Sequence, residues 1–185
     1  MIWNEILCVG DSITYGARDE YGRTFPVELS SMLTKVTNEV YYCHNHGVCG
    51  ETSSDLLRRI WTACRSSPDS KIMTVLIGTN DTQKNIPPEI YEDNLRQIIN
   101  VGKIHGKHIF ILTLPKLHFT PLYYKNISNI DVYNNILKKL SIEMKCTLVD
   151  LSGVEEHYID GVHFKNTGNL EIAKRVRDKI LFSQS

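Results

Sequence analysis

The chain has 185 residues, of which 42% are hydrophobic and 23% are charged, a composition that argues against long disordered or low-complexity segments. Its 21 lysines and arginines balance its 21 aspartates and glutamates, so no overall basic field exists to attract nucleic acid or an anionic membrane surface. The length suits one domain with a substantial core, and we expect residues 1–185 to form a single domain.

The apolar runs and the cysteine pattern also predict the cellular location of the protein and the redox state of its cysteines. No apolar run approaches the roughly 20 residues that a membrane-spanning helix needs. The first predicted strand begins within a few residues of Met1, which leaves no room for a cleavable leader, and we expect a cytoplasmic protein. The five cysteines are odd in number and include no C-x-x-C pair, so free thiols are favoured over disulfides.

Five apolar runs predict buried β-strands, and segments with a single apolar stripe predict helices between them. The strands are predicted at 6–9, 40–43, 72–77, 108–114 and 147–151. The helices are predicted over 24–33, 56–61, 88–99, 132–140 and 166–180, with a glycine-punctuated loop over 44–52. Because each crossover helix must pack its apolar stripe on the sheet, the pattern predicts a three-layer α/β/α fold with a parallel five-stranded sheet.

Polar and small residues follow several predicted strands at their carboxyl ends, where an open α/β sheet binds its ligands. Ser12 follows the first strand, Gly50 lies beyond the second, Asn80 follows the third, and Asp160 and His163 come after the fifth. Acyl transfer by a serine needs a base, a group that orients the base, and donors for the oxyanion. The set supplies each of these roles, which makes Ser12 a candidate nucleophile.

The roles can be assigned by chemistry. His163 would take the proton from the Ser12 hydroxyl, and Asp160, three residues before it, would fix the imidazole tautomer. The backbone amides of Ser12 and Gly50 and the side-chain amide of Asn80 are the candidate oxyanion donors.

A simpler alternative exists for the first of these positions. Asp11 and Ser12 could merely cap the helix that follows them, as Asp and Ser often do after a strand. An Asp-x-x-His pattern is also common by chance, so the hypothesis depends on the joint occurrence of these residues at successive strand ends.

Other candidate residues have a plainer interpretation. His44 and His46 alternate and could share a face as a metal pair, but no third ligand lies nearby in sequence, and we expect loop histidines and no metal. Cys49 is expected to be a small packed side chain. Asp11 and Asp81 are expected to hold their own turns by bonding backbone amides.

One irregular stretch, between Pro115 and Ile130, is rich in aromatic residues. Phe119, Tyr123 and Tyr124 follow the fourth strand on the same edge of the sheet. They are candidate substrate-binding residues that would wall the pocket, and packing of the loop is an equally good interpretation.

Four segments together resemble the sequence blocks of the SGNH hydrolases, also called the GDSL esterase/lipase family. The segments are Gly10-Asp11-Ser12-Ile13-Thr14-Tyr15-Gly16, Asn45-x-Gly47-x-x-Gly50-x-Thr52, Gly78-Thr79-Asn80-Asp81 and Asp160-x-x-His163. The resemblance implies a flavodoxin-like sheet of order 2-1-3-4-5. It also implies Ser12 as nucleophile, Gly50 and Asn80 as oxyanion donors, and Asp160 with His163 as the rest of a triad. Ile13 departs from the leucine of the family's name conservatively, and the chain has no Gly-x-Ser-x-Gly elbow of the other large serine-esterase fold.

The sequence therefore predicts a serine esterase that acts without a cofactor on a small-molecule or carbohydrate ester. Short acyl groups such as acetyl are favoured, because the chain shows no long apolar insertion to hold a fatty chain. Lysophospholipids and thioesters are alternative substrates, and a binding module for acylated sugars is the alternative from another class. The oligomeric state stays open.

Overall fold

The computed structural model describes residues 3–118 and 130–184, and in them five parallel strands form one sheet of order β2-β1-β3-β4-β5. The strands are β1 Trp3–Gly10, β2 Val40–Gly47, β3 Ile72–Leu76, β4 His108–Leu112 and β5 Thr147–Val149. The helices are α1 Ser12–Tyr15, α2 Phe25–Thr37, α3 Ser53–Ser66, α4 Thr79–Gln83, α5 Pro88–Ile104, α6 Ile130–Glu143 and α7 Asn166–Gln184. A short 3₁₀ turn spans Val154–His157.

The predicted α/β/α architecture and sheet order are confirmed. Helix α2 packs on α7, while α3 packs on α5 and α5 on α6. Right-handed crossovers place these two groups on opposite faces of the sheet. The interior strand β1 is covered on both sides, since Leu7, Cys8 and Val9 are all 0% exposed, as expected for a parallel strand between two helical layers.

Strand β2 is longer than predicted, and His44 and His46 are strand residues instead of loop residues. It pairs with β1 along its whole length, from Trp3 opposite Val40 to Gly10 opposite Gly47. As the edge strand of the sheet, β2 can direct polar side chains to solvent. Its second half therefore lacks the apolar run that predicts a buried strand. Its end also approaches α1 so closely that a Cβ at Gly47 would lie 2.1 Å from the Tyr15 nitrogen.

Strands β4 and β5 are shorter than predicted because side chains take over the backbone bonds beyond them. The N–H and C=O of Leu114 bond the Asn134 side chain at 2.7 and 2.9 Å, so β4 ends at Leu112. β5 ends at Val149, and the Leu151 N–H donates to a threonine hydroxyl at 2.8 Å.

Two buried aspartates hold the turns at the carboxyl edge of the sheet. Asp11 is the N-cap of α1 and accepts the Ile13 N–H at 2.9 Å, which confirms the expected cap. Asp81 is stabilised by its own backbone N–H, but its larger contacts are to a different element: it accepts the Ser53 N–H at 2.9 Å and the Ser53 hydroxyl at 2.5 Å. The first N–H groups of α3 lack intrahelical acceptors, and Asp81 supplies one.

Asp11 is a buried acid with an incomplete set of partners. Burial raises its pKa to about 7, against the lowering effect of the Ile13 N–H, and the carboxylates of Asp81 and Glu51 add to the rise. Its Oδ2 atom is buried and has no hydrogen-bond partner in the described part of the chain. A neutral acid tolerates such a site better than a carboxylate does, because an unpaired buried charge is the costlier group.

The raised pKa of Asp11 makes the stability of the protein depend on pH. Because the folded-state pKa of about 7 exceeds the ordinary 3.8, the folded protein binds an extra proton between those values, and stability falls as pH rises through that window. Between pH 5 and pH 8 this group should remove about 2 to 3 kcal/mol of unfolding free energy from the wild type. Asp11→Asn keeps a capping oxygen but cannot titrate. Its free energy of unfolding should therefore fall by about 2 to 3 kcal/mol less than that of the wild type between pH 5 and pH 8.

Urea unfolding at the two pH values measures the difference between the two proteins. Asp69→Asn removes an exposed carboxylate and is the matched control, which should keep the pH dependence of the wild type. The same pH dependence in Asp11→Asn and in the wild type would contradict the prediction.

Candidate active site

The turn between β1 and α1 carries Ser12 to the carboxyl edge of the sheet. Asp11 caps the helix and Ser12 is its first residue, with a side chain that bonds His163 instead of the helix: Ser12 Oγ and His163 Nε2 are 3.0 Å apart. The turn is tight, because a Cβ at Gly10 would lie 2.3 Å from the Leu76 carbonyl oxygen. Capping by Asp11 and presentation of Ser12 are therefore compatible, and the first does not replace the second.

A short hairpin before α7 holds His163. Its backbone is closed by the Ile159 N–H, which donates to the His163 carbonyl at 2.7 Å, and by an antiparallel bridge between Tyr158 and Phe164. Within this hairpin Asp160 Oδ2 lies 2.8 Å from His163 Nδ1. The three side chains of the predicted triad thus form one line of hydrogen bonds, from carboxylate to imidazole to hydroxyl.

The electrostatics of Asp160 suit the orientation of the imidazole. Partial burial alone would raise the pKa of Asp160, but hydrogen bonds from the His163 N–H, the His163 ring and the Val162 N–H lower it below its ordinary value. The carboxylate is therefore ionised at neutral pH and accepts a hydrogen bond from the Nδ1–H of His163. This assignment leaves Nε2 of a neutral imidazole with its lone pair toward Ser12, as a general base requires.

The predicted oxyanion donors Gly50 and Asn80 lie in the same cleft as Ser12 and His163. Gly50 has a φ of +79°, and its N–H donates to no backbone carbonyl within residues 3–118 and 130–184. Asn80 Nδ2 donates one N–H to the Glu51 carbonyl at 2.8 Å, which fixes the amide and leaves its second N–H for another acceptor. The N–H of Ser12, at the first position of α1, has no intrahelical acceptor.

Arg59 on α3 ties the loop that carries Gly50 to the sheet. Its Nη2 atom donates to the His46 carbonyl at 2.9 Å and to the Gly10 carbonyl at 3.3 Å, and its Nε atom bonds Glu51 at 2.7 Å. The ends of β1 and β2 and the Gly50 loop are therefore fixed to one guanidinium, which keeps the donors in register with Ser12.

The cleft has a volume of about 480 Å³. Besides the predicted residues it is lined by Tyr15, Ala17, Arg18, Cys49 and Gln83. Sequence reasoning missed Tyr15, Arg18 and Gln83 as site residues, although each lies within six positions of Ser12 or Asn80. Arg18 also approaches the triad, with its Nε atom 3.7 Å from Asp160 Oδ2.

The structure also bears on the predictions for the cysteines and for His44. The prediction that Cys49 is packed is wrong, because Cys49 lies in the loop beyond β2 and is exposed in the cleft. Loss of part of its hydration and the charge of Asp11 raise the pKa of its thiol. All five cysteines are free, as predicted. His44 Nε2 bonds Glu5 at 2.8 Å. Phe119, Tyr123 and Tyr124 lie outside the described residues.

Residues 3–118 and 130–184 contain no group of three or more His, Cys, Asp or Glu side chains arranged to hold a metal ion. None of their helices combines the length and apolar character that crossing a membrane would demand.

Comparisons with known proteins bear on this geometry. The chain is 24% identical to an arylesterase of Vibrio mimicus over 186 residues, covering 96% of this chain and 88% of the relative. Its structure is similar to Est24, a carbohydrate acetylesterase from Sinorhizobium meliloti, with a TM-score of 0.82, 17% identity and coverage of 97% and 99% of the two chains. A mutant of Axe2, an acetyl-xylooligosaccharide esterase from Geobacillus stearothermophilus, gives a TM-score of 0.81 at 21% identity over 96% and 94%. These two structures share the fold.

The sequence itself matches the family model of the GDSL-like lipases and acylhydrolases over residues 8–170, from within β1 into α7. Because this match covers most of the chain and includes every segment of the predicted site, the chain belongs to the GDSL-like lipase/acylhydrolase family of ester hydrolases.

Proposed function

We propose that this protein hydrolyses carboxylic esters with short acyl groups, acetyl foremost, through an acyl-enzyme on Ser12. The observation that supports this most is the line of hydrogen bonds from Asp160 through His163 to Ser12, with distances of 2.8 and 3.0 Å, inside a cleft that also holds Gly50 and Asn80. Nucleophile, base, orienting group and oxyanion donors are then all within reach of one ester.

In the first half-reaction, Ser12 Oγ attacks the ester carbonyl carbon while His163 Nε2 takes the hydroxyl proton. The carbonyl π electrons move to oxygen and give a tetrahedral oxyanion. His163 then returns the proton to the alcohol oxygen, the bond between carbonyl carbon and alcohol oxygen breaks, and the acyl group stays on Ser12. Asp160 stabilises the imidazolium formed in between.

In the second half-reaction, water attacks the acyl carbon and gives its proton to His163. Collapse of the second tetrahedral intermediate returns that proton to Ser12 Oγ and releases the carboxylic acid. The oxyanion of both intermediates would accept hydrogen bonds from the backbone N–H groups of Ser12 and Gly50 and from Asn80 Nδ2. Because Glu51 already holds the Asn80 amide, this donor needs little reorganisation when charge develops.

The preference for a short acyl group is supported by the lining of the cleft. Among the described residues, the apolar contribution comes from Tyr15, Ala17 and Cys49, beside polar groups such as Arg18 and Gln83. A fatty chain needs a longer apolar surface to offset the ordering of its bonds. The neighbours described as acetylesterases and the arylesterase relative suggest a sugar or an aromatic alcohol as the leaving group.

Replacement of the nucleophile tests the mechanism directly. Ser12→Ala should lower kcat for p-nitrophenyl acetate at least about 1000-fold, because the acyl-enzyme can no longer form. A fluorophosphonate probe should label Ser12 in the folded wild type. Ser66→Ala, at the end of α3, is the control and should keep wild-type kinetics. Equal rates for Ser12→Ala and the wild type would refute the proposal, and failure of the probe to label Ser12 would favour a binding module.

Chain length of the acyl group tests the substrate class. Across p-nitrophenyl acetate, butyrate and octanoate, kcat/KM should fall by about tenfold or more from the first ester to the last, since the described lining offers longer chains apolar contacts from only Tyr15, Ala17 and Cys49. A kcat/KM that rises with chain length would contradict the short-chain preference and would favour a lysophospholipase or long-chain thioesterase.

A further inference from the structure

We propose that Lys84 is a positioning residue for the proposed esterase reaction, because it fixes the turn whose Gly50 N–H donates to the oxyanion. This inference rests on the proposed function and adds a residue that does not line the cleft. Lys84 Nζ donates a hydrogen bond to the Gly50 carbonyl oxygen at 3.2 Å. The ammonium therefore contacts the loop at the same residue that supplies the oxyanion donor.

The direction of the Gly50 N–H depends on a tight turn from Val48 to Glu51. The Glu51 N–H closes this turn by donating to the Val48 carbonyl at 3.4 Å. Gly50, the third residue of the turn, has a φ of +79°, whereas the φ of Cys49, the second residue, is not positive. This combination is that of a type II turn. A change to type I would flip the peptide between Cys49 and Gly50 and turn the Gly50 N–H to the opposite side.

Other contacts fix the two ends of this turn but not its middle. The Val48 N–H donates to the carbonyl of the last residue of β1 at 3.0 Å, and Asn80 Nδ2 donates to the Glu51 carbonyl at 2.8 Å. In the part of the chain that the structure describes, the Gly50 backbone has one hydrogen-bond partner, the ammonium of Lys84. Lys84 is therefore the group placed to resist a flip of the central peptide.

Helix α4 gives Lys84 a rigid base. Lys84 follows the last residue of this helix, and its N–H donates to the Asn80 carbonyl at 3.0 Å. The two side chains are four positions apart, so they lie on one face of the helix. Asp81 and Thr82 of the same helix are 0% exposed. One buried helix thus bonds two successive carbonyls of the turn, one through Asn80 and the other through Lys84.

A carboxylate near Lys84 already has other donors. Hydrogen bonds from the N–H and hydroxyl of Thr52 lower the pKa of Asp55, and the charges of Arg58 and Lys84 add to this effect. The Asp55 carboxylate accepts both bonds from Thr52 and pairs with Arg58. Lys84 bonds the Gly50 carbonyl instead.

The expected effect of Lys84 on the rate is moderate. Removal of a donor that bonds the oxyanion directly costs about 100- to 1000-fold in kcat. Lys84 acts through the orientation of Gly50, and its side chain is exposed to water, which weakens the bond. Its loss should therefore cost less, about 3- to 10-fold.

The first experiment compares Lys84→Met with the wild type on p-nitrophenyl acetate. The variant should have a kcat about 3- to 10-fold lower and a KM within about twofold, because the oxyanion exists in the transition state and not in the bound ester. Lys84→Arg keeps a cationic donor and should restore kcat to within about twofold of the wild type. Lys103→Met is the matched control, since Lys103 near the end of α5 also donates to a backbone carbonyl, that of Met144, outside the cleft lining. It should keep wild-type kinetics.

An aryl trifluoromethyl ketone gives a second measurement of the same effect. Ser12 Oγ adds to its carbonyl carbon, the hydroxyl proton moves to His163, and the carbonyl oxygen becomes an oxyanion. The Ki of this inhibitor should rise in Lys84→Met by about the factor by which kcat/KM falls. The urea midpoint should stay at the wild-type value. An unchanged kcat or an unchanged Ki would overturn the inference, and a lower urea midpoint would do so by assigning Lys84 a structural role.

A measurement without substrate distinguishes failure of this inference from failure of the proposed function. NMR relaxation dispersion of the Gly50 and Glu51 amides reports microsecond-to-millisecond motion of the turn. Both amides should show no dispersion in the wild type and in Lys103→Met, and clear dispersion in Lys84→Met. If the wild type does not hydrolyse p-nitrophenyl acetate, the esterase mechanism fails, and this measurement still tests whether Lys84 fixes the turn. Equal relaxation in Lys84→Met and the wild type would refute that role.

Discussion

The structure depends on the parallel alignment of its strands, which brings distant parts of the chain to one edge of the sheet. Ser12 and His163 are 151 positions apart and form a hydrogen bond of 3.0 Å because β1 and β5 both point their carboxyl ends the same way. The intervening strands β3 and β4 fix the distance between them. A chain with one antiparallel strand at either position would send its catalytic group to the opposite edge.

The turns at this edge of the sheet contain buried carboxyl groups, whose burial costs folding free energy. Asp11 and Asp81 are buried carboxyls, each next in sequence to a proposed site residue, and burial raises the pKa of both. Asp11 caps the helix that presents Ser12, whereas Asp81 fixes the start of α3 behind Asn80. The protein thus gives up part of its stability at neutral pH to hold two turns in register, a pattern common where function requires fixed geometry.

Residues whose position follows from the order of the strands along the chain could be predicted. Residues whose position depends on tertiary contacts could not. Apolar runs located the strands, and the polar residues after them located Ser12 and His163. The full length of β2 was hidden because an edge strand need not be apolar, and the partner of Asp81 lies 28 positions earlier in the chain. Arg18 could not be predicted as a site residue, since the position of its loop depends on a hydrogen bond between Asp19 and α7 across 150 positions.

The proposed catalytic groups and the rest of the cleft wall lie on different kinds of segment, which are under different structural constraints. The proposed triad and oxyanion donors follow strand ends that are fixed by the sheet, by helix caps and by Arg59. Arg18 lines the cleft and lies on the loop after α1, which is bonded to α7 through Asp19 and approaches Asp160 of the hairpin. Changes in such a loop would alter the wall of the cleft without moving Ser12 relative to His163. We therefore expect substrate choice in this chain to depend on the loop after α1, and reaction chemistry to depend on the strand ends.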